Sequence, residues 1–436
     1  MGATERRLGI LAGGGVLPRE IADSAASRGI PVSIVAIDGE ANADFAPHPV
    51  TVVNWGQIGA MIRALKEART THLVIVGHVH RPELKGLRPD LGLFRYLPKI
   101  LRIVAAGGDD GVLRRVVRFF EQQGLKVIAP GEAAPELVIG AGPMGKAQAS
   151  PGDRADIAKG LELVRALGRY DIGQSVIVAG GRIEAIEGAE GTDRMIARAA
   201  ARRAGTREGR AGGALVKRSK PGQDMRIDLP TIGPATVEGA RAAGLAGIAV
   251  EAGRVLVADR TRTLAAAEAA NVFIEGVTDG AVGESQLRFD PRKVAIPFRM
   301  IGRSSPGGHV LHDAVKAIAT LDALAPFGSG DAVVVVRNHV LAVEAGGEGA
   351  GATLERAAGL RQWASLTHNR RGVVGLARVQ DLTMAFLQAV ASAGYAGIAV
   401  AEPEGADGAL AKDIVEAADR IGIVVLRRVS AAGTAS

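Results

Sequence analysis

The chain has 436 residues, 53 Lys and Arg against 46 Asp and Glu, a net charge of +7, and no cysteine. At roughly 100–200 residues per domain this length predicts two to four domains, and 47% hydrophobic with 23% charged residues excludes a disordered chain. The missing cysteines exclude disulfides, a thiolate nucleophile and Cys-ligated zinc or iron–sulfur sites. With only 3% aromatic residues there are few rings to stack bases on, so no nucleic-acid partner is expected.

The first apolar run, Leu8 to Ala12, is too short for a signal-peptide core. No window approaches the length of apolar chain that spans a bilayer. A cytoplasmic protein is expected, its modest positive charge suiting an anionic ligand or peripheral contact with an anionic inner leaflet.

Leu8 to Ala12 reads as a strand that ends in Gly13-Gly14-Gly15. A helix follows from Pro18 to about Arg28, then a strand from Pro31 to Ile37 closed by Asp38-Gly39. A helix from about Ile58 to Ala68 leads to a strand from His72 to Val76. Continuous Val/Ile runs separated by helices predict a parallel sheet covered on both faces. The fold class is therefore α/β, with a Rossmann-like N-terminal domain over residues 1–130.

Several motifs lie on this frame. Strand, glycines and helix start offer backbone N–H groups of Gly13, Gly14 and Gly15 to a phosphate. The dinucleotide fingerprint is half met, because Pro18 stands at its third glycine, and Asp38 lies where a nicotinamide enzyme grips a ribose. A dinucleotide, another phosphate ligand and a plain tight turn all remain open. His78 and His80 would share one face of an extended segment, as metal ligands or as loop residues, and Arg81 after them suits a phosphate. Asp109 or Asp110 would cap a helix from about Val112, or line a ligand site with Arg114 and Arg115. Gly140 to Lys146 fits G-x-x-x-x-G-K, but Ala147 lacks the hydroxyl a Walker motif needs.

The rest of the chain repeats itself. Ser150-Pro151-Gly152 returns as Ser305-Pro306-Gly307, Arg182 to Glu187 as His339 to Glu344, and Ala243 to Val250 as Ala393 to Val400. This predicts two copies of one α/β domain, at 136–276 and 290–430. The first holds Lys217, Lys220, Asp224, Arg226 and Asp228 in one stretch, and Asp193 in Glu190-Gly191-Thr192-Asp193. In the second, Glu348-Gly349-Ala350-Gly351 replaces the latter, Val373 to Ala377 replaces the basic run, and gapless register sets Arg378 opposite Asp228. Chemistry is therefore expected in the first copy, with the second a degenerate scaffold or dimer element. Cations beside carboxylates suit diphosphate hydrolysis, the acids holding metal or orienting water, although charged loops are also simply solvated.

Leu8 to Pro18, Gly108-Asp109-Asp110 with Leu113-Arg114-Arg115, Asp171 to Gln174, Glu190 to Asp193 and Arg226 to Gly233 occur in order over about residues 7–277. In this set the chain resembles the UDP-2,3-diacylglucosamine diphosphatases of lipid A synthesis, the LpxI type. The resemblance implies hydrolysis of UDP-2,3-diacylglucosamine with Mg2+ to UMP and lipid X, in a site between a Rossmann-like domain and a second α/β domain. It implies that Asp228 is the essential aspartate. The expected roles follow. Asp228 and Asp193 are catalytic; Asp228 and Asp224 hold the metal. Gly13, Gly14, Gly15, His78, Arg81, Asp109, Asp110, Gln174, Thr192, Lys217, Lys220, Arg226 and Thr231 bind substrate. A homodimer is the expected assembly. The competing readings are a nucleotide-sugar lipid-binding protein without turnover and an NAD or sugar-nucleotide dehydrogenase.

Overall fold

The computed structural model describes residues 6–80, 88–94, 96–97, 109–205, 212–221, 223–278, 289–361, 370–403 and 410–429. The chain forms two compact units. The first comprises residues up to 141 together with 223–234 and 251–267; the second comprises 142–222, 235–250 and the chain from 268 onward.

In the first unit, β1 (Leu8–Ala12), β2 (Val32–Ile37), β3 (Val50–Val53), β4 (His72–Val76) and β5 (Lys126–Val127) form one parallel sheet in the order β3-β2-β1-β4-β5. Alternation along β1 explains why it is apolar throughout. Leu8, Ile10 and Ala12 face Ile21, Ala22 and Ala25 of the helix Leu17–Ser27, whereas Leu11 faces Met61, Ile62 and Leu65 of the helix Ile58–Glu67. Strand order reverses between β1 and β4, so the loops leaving their carboxyl ends are neighbours, at the position where open α/β sheets bind ligands. A helix runs from Asp109 to Glu121. It already includes Asp109 and Asp110, which are therefore helical residues and not caps before a start at Val112.

The second unit holds β6 (Gly142–Met144), β7 (Ser175–Ala179), β8 (Arg182–Ile186) and β9 (Ala214–Lys217). The short strands β10 (Thr231–Ile232) and β12 (Leu256–Val257) pair with each other in the first unit, while β11 (Gly247–Glu251) and β13 (Phe273–Val277) complete the sheet β6-β13-β11-β9-β7-β8. A further sheet contains β14 (Phe298–Ile301), β15 (Ala332–Val336), β16 (His339–Val343), β17 (Val373–Leu376), β18 (Gly397–Val400) and β19 (Val424–Arg428), in the order β14-β19-β18-β17-β15-β16.

The two sheets correspond position by position. Each has a bulge at the same place, after Ile177 and after Val334. Each hairpin turns through two residues of positive φ, Gly180-Gly181 in one and Arg337-Asn338 in the other. A buried aspartate clamps each turn by accepting both of its amides. Asp156 takes Gly180 N and Gly181 N at 2.9 and 2.6 Å, and Asp313 takes Arg337 N and Asn338 N at 3.0 and 2.7 Å. The helices Pro151–Gly168, capped by Ser150, and Gly308–Leu324 share one core through Leu163, Val164, Leu167, Ala314, Ala317 and Ile318.

Strand register corrects one alignment. Ser175 lies opposite Lys217 in one sheet and Ala332 opposite Leu376 in the other, so Val373–Leu376 is the counterpart of β9 itself and not of the basic loop. Residues 218–233 separate β9 from the helix Pro234–Ala242, but only 377–383 separate β17 from the helix Met384–Ser392. The second sheet has no connection long enough to match the loop carrying Asp228. Arg378 is not its equivalent, and instead pairs with Asp331 and Asp381 at 3.1 and 3.3 Å.

The two halves meet over a buried charge cluster with local two-fold character. Arg198 reaches Glu190 at 3.0 Å and Glu348 at 3.2 Å; Arg356 reaches Glu190 at 3.3 Å and also binds Glu348. Each arginine also donates to a carbonyl of its own half, Ile186 O and Val343 O. The carboxylates are 4% and 5% exposed, so removing one guanidinium strands buried negative charge. Arg356→Ala should lower unfolding stability by about 3 kcal/mol in denaturant titration. A loss under about 0.5 kcal/mol, the range of ordinary surface substitutions, would show that the cluster does not hold the halves together.

Candidate functional site

In the first unit the glycine run closes onto the end of β4. Gly13 N donates to Val76 O at 2.9 Å, Gly14 N and His78 N exchange bonds with each other's carbonyls at 2.8 and 3.1 Å, and Gly15 N donates to Asn42 Oδ1 at 2.8 Å. A Cβ on Gly13 would stand 2.5 Å from His78 O, and one on Gly14 would stand 2.5 Å from the His78 ring. Close backbone approach therefore accounts for these glycines, and the three amides offered to a phosphate are already bound within the protein. His78 is exposed beside them, 6.0 Å ring to ring from His80, whose Nδ1 and backbone N both contact the Glu40 carboxylate at 3.0 Å. Arg81 and the side chains of Asp109 and Asp110 lie outside the described residues.

The segment 224–228 is a braced turn. Ile227 N and Asp228 N both donate to Asp224 O at 3.1 Å. Arg226 forks onto Asp224 through Nε and Nη2 at 2.8 and 2.7 Å and reaches Glu121 through Nη1 at 2.8 Å. The Arg226 guanidinium is the main cause that holds the Asp224 carboxyl below its ordinary range, and Arg114 adds to it. Asp228 is half-buried, and its side chain makes no hydrogen bond or ion pair with any described residue. The turn thus ties up Asp224 and Arg226 and leaves Asp228 as its available acid. Thr231, just beyond, lies in β10 and donates to Leu229 O at 3.3 Å.

In the second unit, Lys217 ends β9, held between β7 and β11, and is 6% exposed. Its Nζ lies 3.2 Å from Thr192 Oγ1, which is 3.2 Å from Ser175 Oγ and donates to Glu187 Oε2 at 3.1 Å. Gln174 N donates to the same Glu187 oxygen at 3.3 Å, and the Gln174 side-chain oxygen is buried with no partner among the described residues. Asp193 follows Thr192 in the first turn of the helix Thr192–Ala204 and is exposed. Lys220 pairs with Asp171 at 3.1 Å.

Gln174, Thr192 and Lys217 are therefore brought together, and so are Asp224, Arg226 and Asp228. Sequence reasoning missed Ser175, Glu187 and Glu121. Glu187 and Glu344 both close the repeated phrase, the one available signal, whereas Glu121 is far from its partner in sequence. Two clefts of the second unit, about 430 and 520 Å3, are lined by none of the expected site residues.

No group of three or more His, Asp or Glu side chains among the described residues is arranged to hold a metal. Magnesium commonly uses one or two protein carboxylates plus substrate phosphates and water. Asp228 fits that requirement. Asp224, with both oxygens on Arg226, does not in this arrangement.

The family model for the LpxI N-terminal domain matches residues 7–137, and that for the LpxI C-terminal domain matches twice, at 140–275 and 299–426. A curated relative, UDP-2,3-diacylglucosamine pyrophosphatase LpxI of Caulobacter vibrioides, is 39% identical over 275 residues, which is 62% of this chain and 98% of the relative. On these matches the chain belongs to the LpxI family, with that family's C-terminal domain present twice.

Proposed function

We propose that the protein hydrolyses UDP-2,3-diacylglucosamine to UMP and 2,3-diacylglucosamine 1-phosphate in lipid A synthesis, with Mg2+, and that its three parts are a Rossmann-like domain, a catalytic domain and a diverged copy of the latter. The observation that carries this reading is the 39% identity spanning 98% of a relative bearing that activity in its name. The half-buried, unpaired Asp228 agrees with it.

In this reading water adds across the P–O–P anhydride, and the two phosphates leave on separate products. Asp228 would orient the attacking water and would be the protein ligand for magnesium, which when bound would supply positive charge beside the diphosphate. Lys217 adds a fixed cation at the end of β9. Arg226, committed to Asp224 and Glu121, acts by shaping the turn that presents Asp228. Asp193 contributes an exposed carboxylate at a helix start. Leu91 and Phe94, 89% and 63% exposed near Arg88, are the side chains a peripheral contact with an anionic leaflet would use. No helix among the described residues is long and apolar enough to cross a membrane. The face carrying Glu190 and Arg198 is occupied by the second copy, so a homodimer would have to form through other surfaces.

Asp228→Asn, with an unchanged circular dichroism spectrum, should lose UMP release from UDP-2,3-diacylglucosamine by about a thousandfold or more. Undiminished turnover would remove Asp228 from the chemistry, while tight binding without turnover in the parent protein would favour a binding protein. Excess chelator should abolish the reaction and added Mg2+ restore it; turnover that persists in chelator would overturn the metal requirement.

A further inference from the structure

In the first unit, residues 88–94 and 96–97 are fastened down on one side and apolar on the other. Asp90 fastens the start. Its carboxylate accepts Gly59 N and Ala60 N, at 3.2 and 2.8 Å, from the first turn of the helix Ile58–Glu67, and Leu93 N at 2.8 Å from the helical residues 91–94 that follow it. Arg88 N donates to Asn54 Oδ1 at 2.9 Å, and Asp90 N to Gly56 O at 3.2 Å. Glycine lets the two stretches touch, because a Cβ on Gly92 would collide with the Gly59 backbone. Further on, Tyr96 packs edge-on against Phe119, ring centroids 5.2 Å apart, and its hydroxyl donates to Gln123 Oε1 at 3.0 Å. Gly92 and Tyr96 therefore face inward. At helical spacing Leu91, Phe94 and Leu97 share the opposite side. All three are exposed, Leu97 at 38%. Single exposed apolar side chains are ordinary. Three on one face of a segment bonded down at both ends form a patch that the fold leaves uncovered.

We propose that this face docks the protein on an anionic phospholipid bilayer, with Leu91, Phe94 and Leu97 entering the headgroup boundary while basic side chains meet the lipid phosphates. The sequence supplies the complementary charge. Residues 81–102 hold six arginines and lysines against two acids, and one of those acids, Asp90, is committed to the backbone bonds above. Arg88 is exposed just before Leu91, and Arg63, exposed on the adjoining helix, lies near enough to Asp90 for their charges to interact. A protein partner matched to the apolar row alone leaves this one-sided charge unexplained. The choice of a bilayer also rests on the diphosphatase reading above, whose substrate carries two acyl chains and so resides in one. Because the face is already ordered, docking does not have to order it, and affinity comes from buried apolar area and lipid charge.

The test is sedimentation of the full chain with vesicles of phosphatidylethanolamine and phosphatidylglycerol, set against vesicles of phosphatidylcholine alone. The parent protein should bind the anionic vesicles more tightly by about tenfold or more, and high salt should remove that difference. Leu91→Ser and Phe94→Ser should each weaken binding by about tenfold, while Phe94→Leu should keep most of it. Both side chains are exposed, so the circular dichroism spectrum and thermal midpoint of these variants should not move. The inference is overturned by a parent that does not bind, by undiminished binding when both serines are present, or by a lipid-free parent dimer that Phe94→Ser dissociates, which would make the face a contact between copies. If vesicle binding fails while UMP release persists, this inference falls alone. If the parent binds vesicles but releases no UMP, the diphosphatase reading falls and the docking face stands on its own readout.

Discussion

Burying an ammonium group costs several kcal/mol unless its charge and hydrogen bonds are compensated. Lys217 poses that problem at the end of a strand hydrogen-bonded on both sides. The side-chain layer around it includes a hydroxyl at the start of one helix, a second hydroxyl on the neighbouring strand, and the Glu187 carboxylate. The backbone makes the arrangement rigid. Ser175 and Lys217 are cross-strand partners, and Glu187 is pinned by bonds to residues 174 and 175. A cation placed this way has little freedom to reorganise when charge develops beside it, which is the property electrostatic catalysis exploits.

Comparison of the two halves separates features common to both from features found in the first alone. Retained in both halves are the hairpin bulge, the aspartate clamp on a turn of positive φ, the glutamate after the hairpin, and an arginine–glutamate pair. The clamp shows why such features persist. Arg337 and Asn338 adopt a backbone conformation that glycine tolerates better, and the turn is held by two bonds from one buried carboxylate. Absent from the second half are the lysine, both hydroxyls and a loop as long as the one after β9. In the first half that loop leads to residues 223–234, which belong to the first unit. The second half retains a complete sheet but not the extension that would link it to another unit.

Much of this was legible in the sequence because it is written in local patterns. β1 was read to its exact residues, since a strand covered on both faces is a continuous apolar run ended by glycine. The repeat was visible because hairpin phrases such as Arg182 to Glu187 survive divergence. Partners distant in sequence were not legible. Nothing near Gly13 indicates that its amide belongs to Val76, or near Arg226 that Glu121 will share its guanidinium. The gapless alignment failed for a related reason. A shortened loop leaves no mark in the residues on either side, and only strand register revealed that Arg378 is not the counterpart of Asp228.

The charge balance around Asp228 explains why a turn rich in ions presents a single open acid. Asp224, Arg226 and Glu121 sum to one negative charge, and Arg114 offsets part of it. Because Arg226 favours the ionised form of Asp224, the folded-state pKa of that carboxyl is depressed. Its contribution to stability is complete above the ordinary carboxylate range and is lost only as pH falls through the lowered value. The brace therefore persists in mild acid, and the backbone bonds from Ile227 and Asp228 to Asp224 O hold the turn in the same conformation. Within this segment the acid whose side chain lacks such a partner is Asp228, which leaves its carboxylate oxygens open to a ligand.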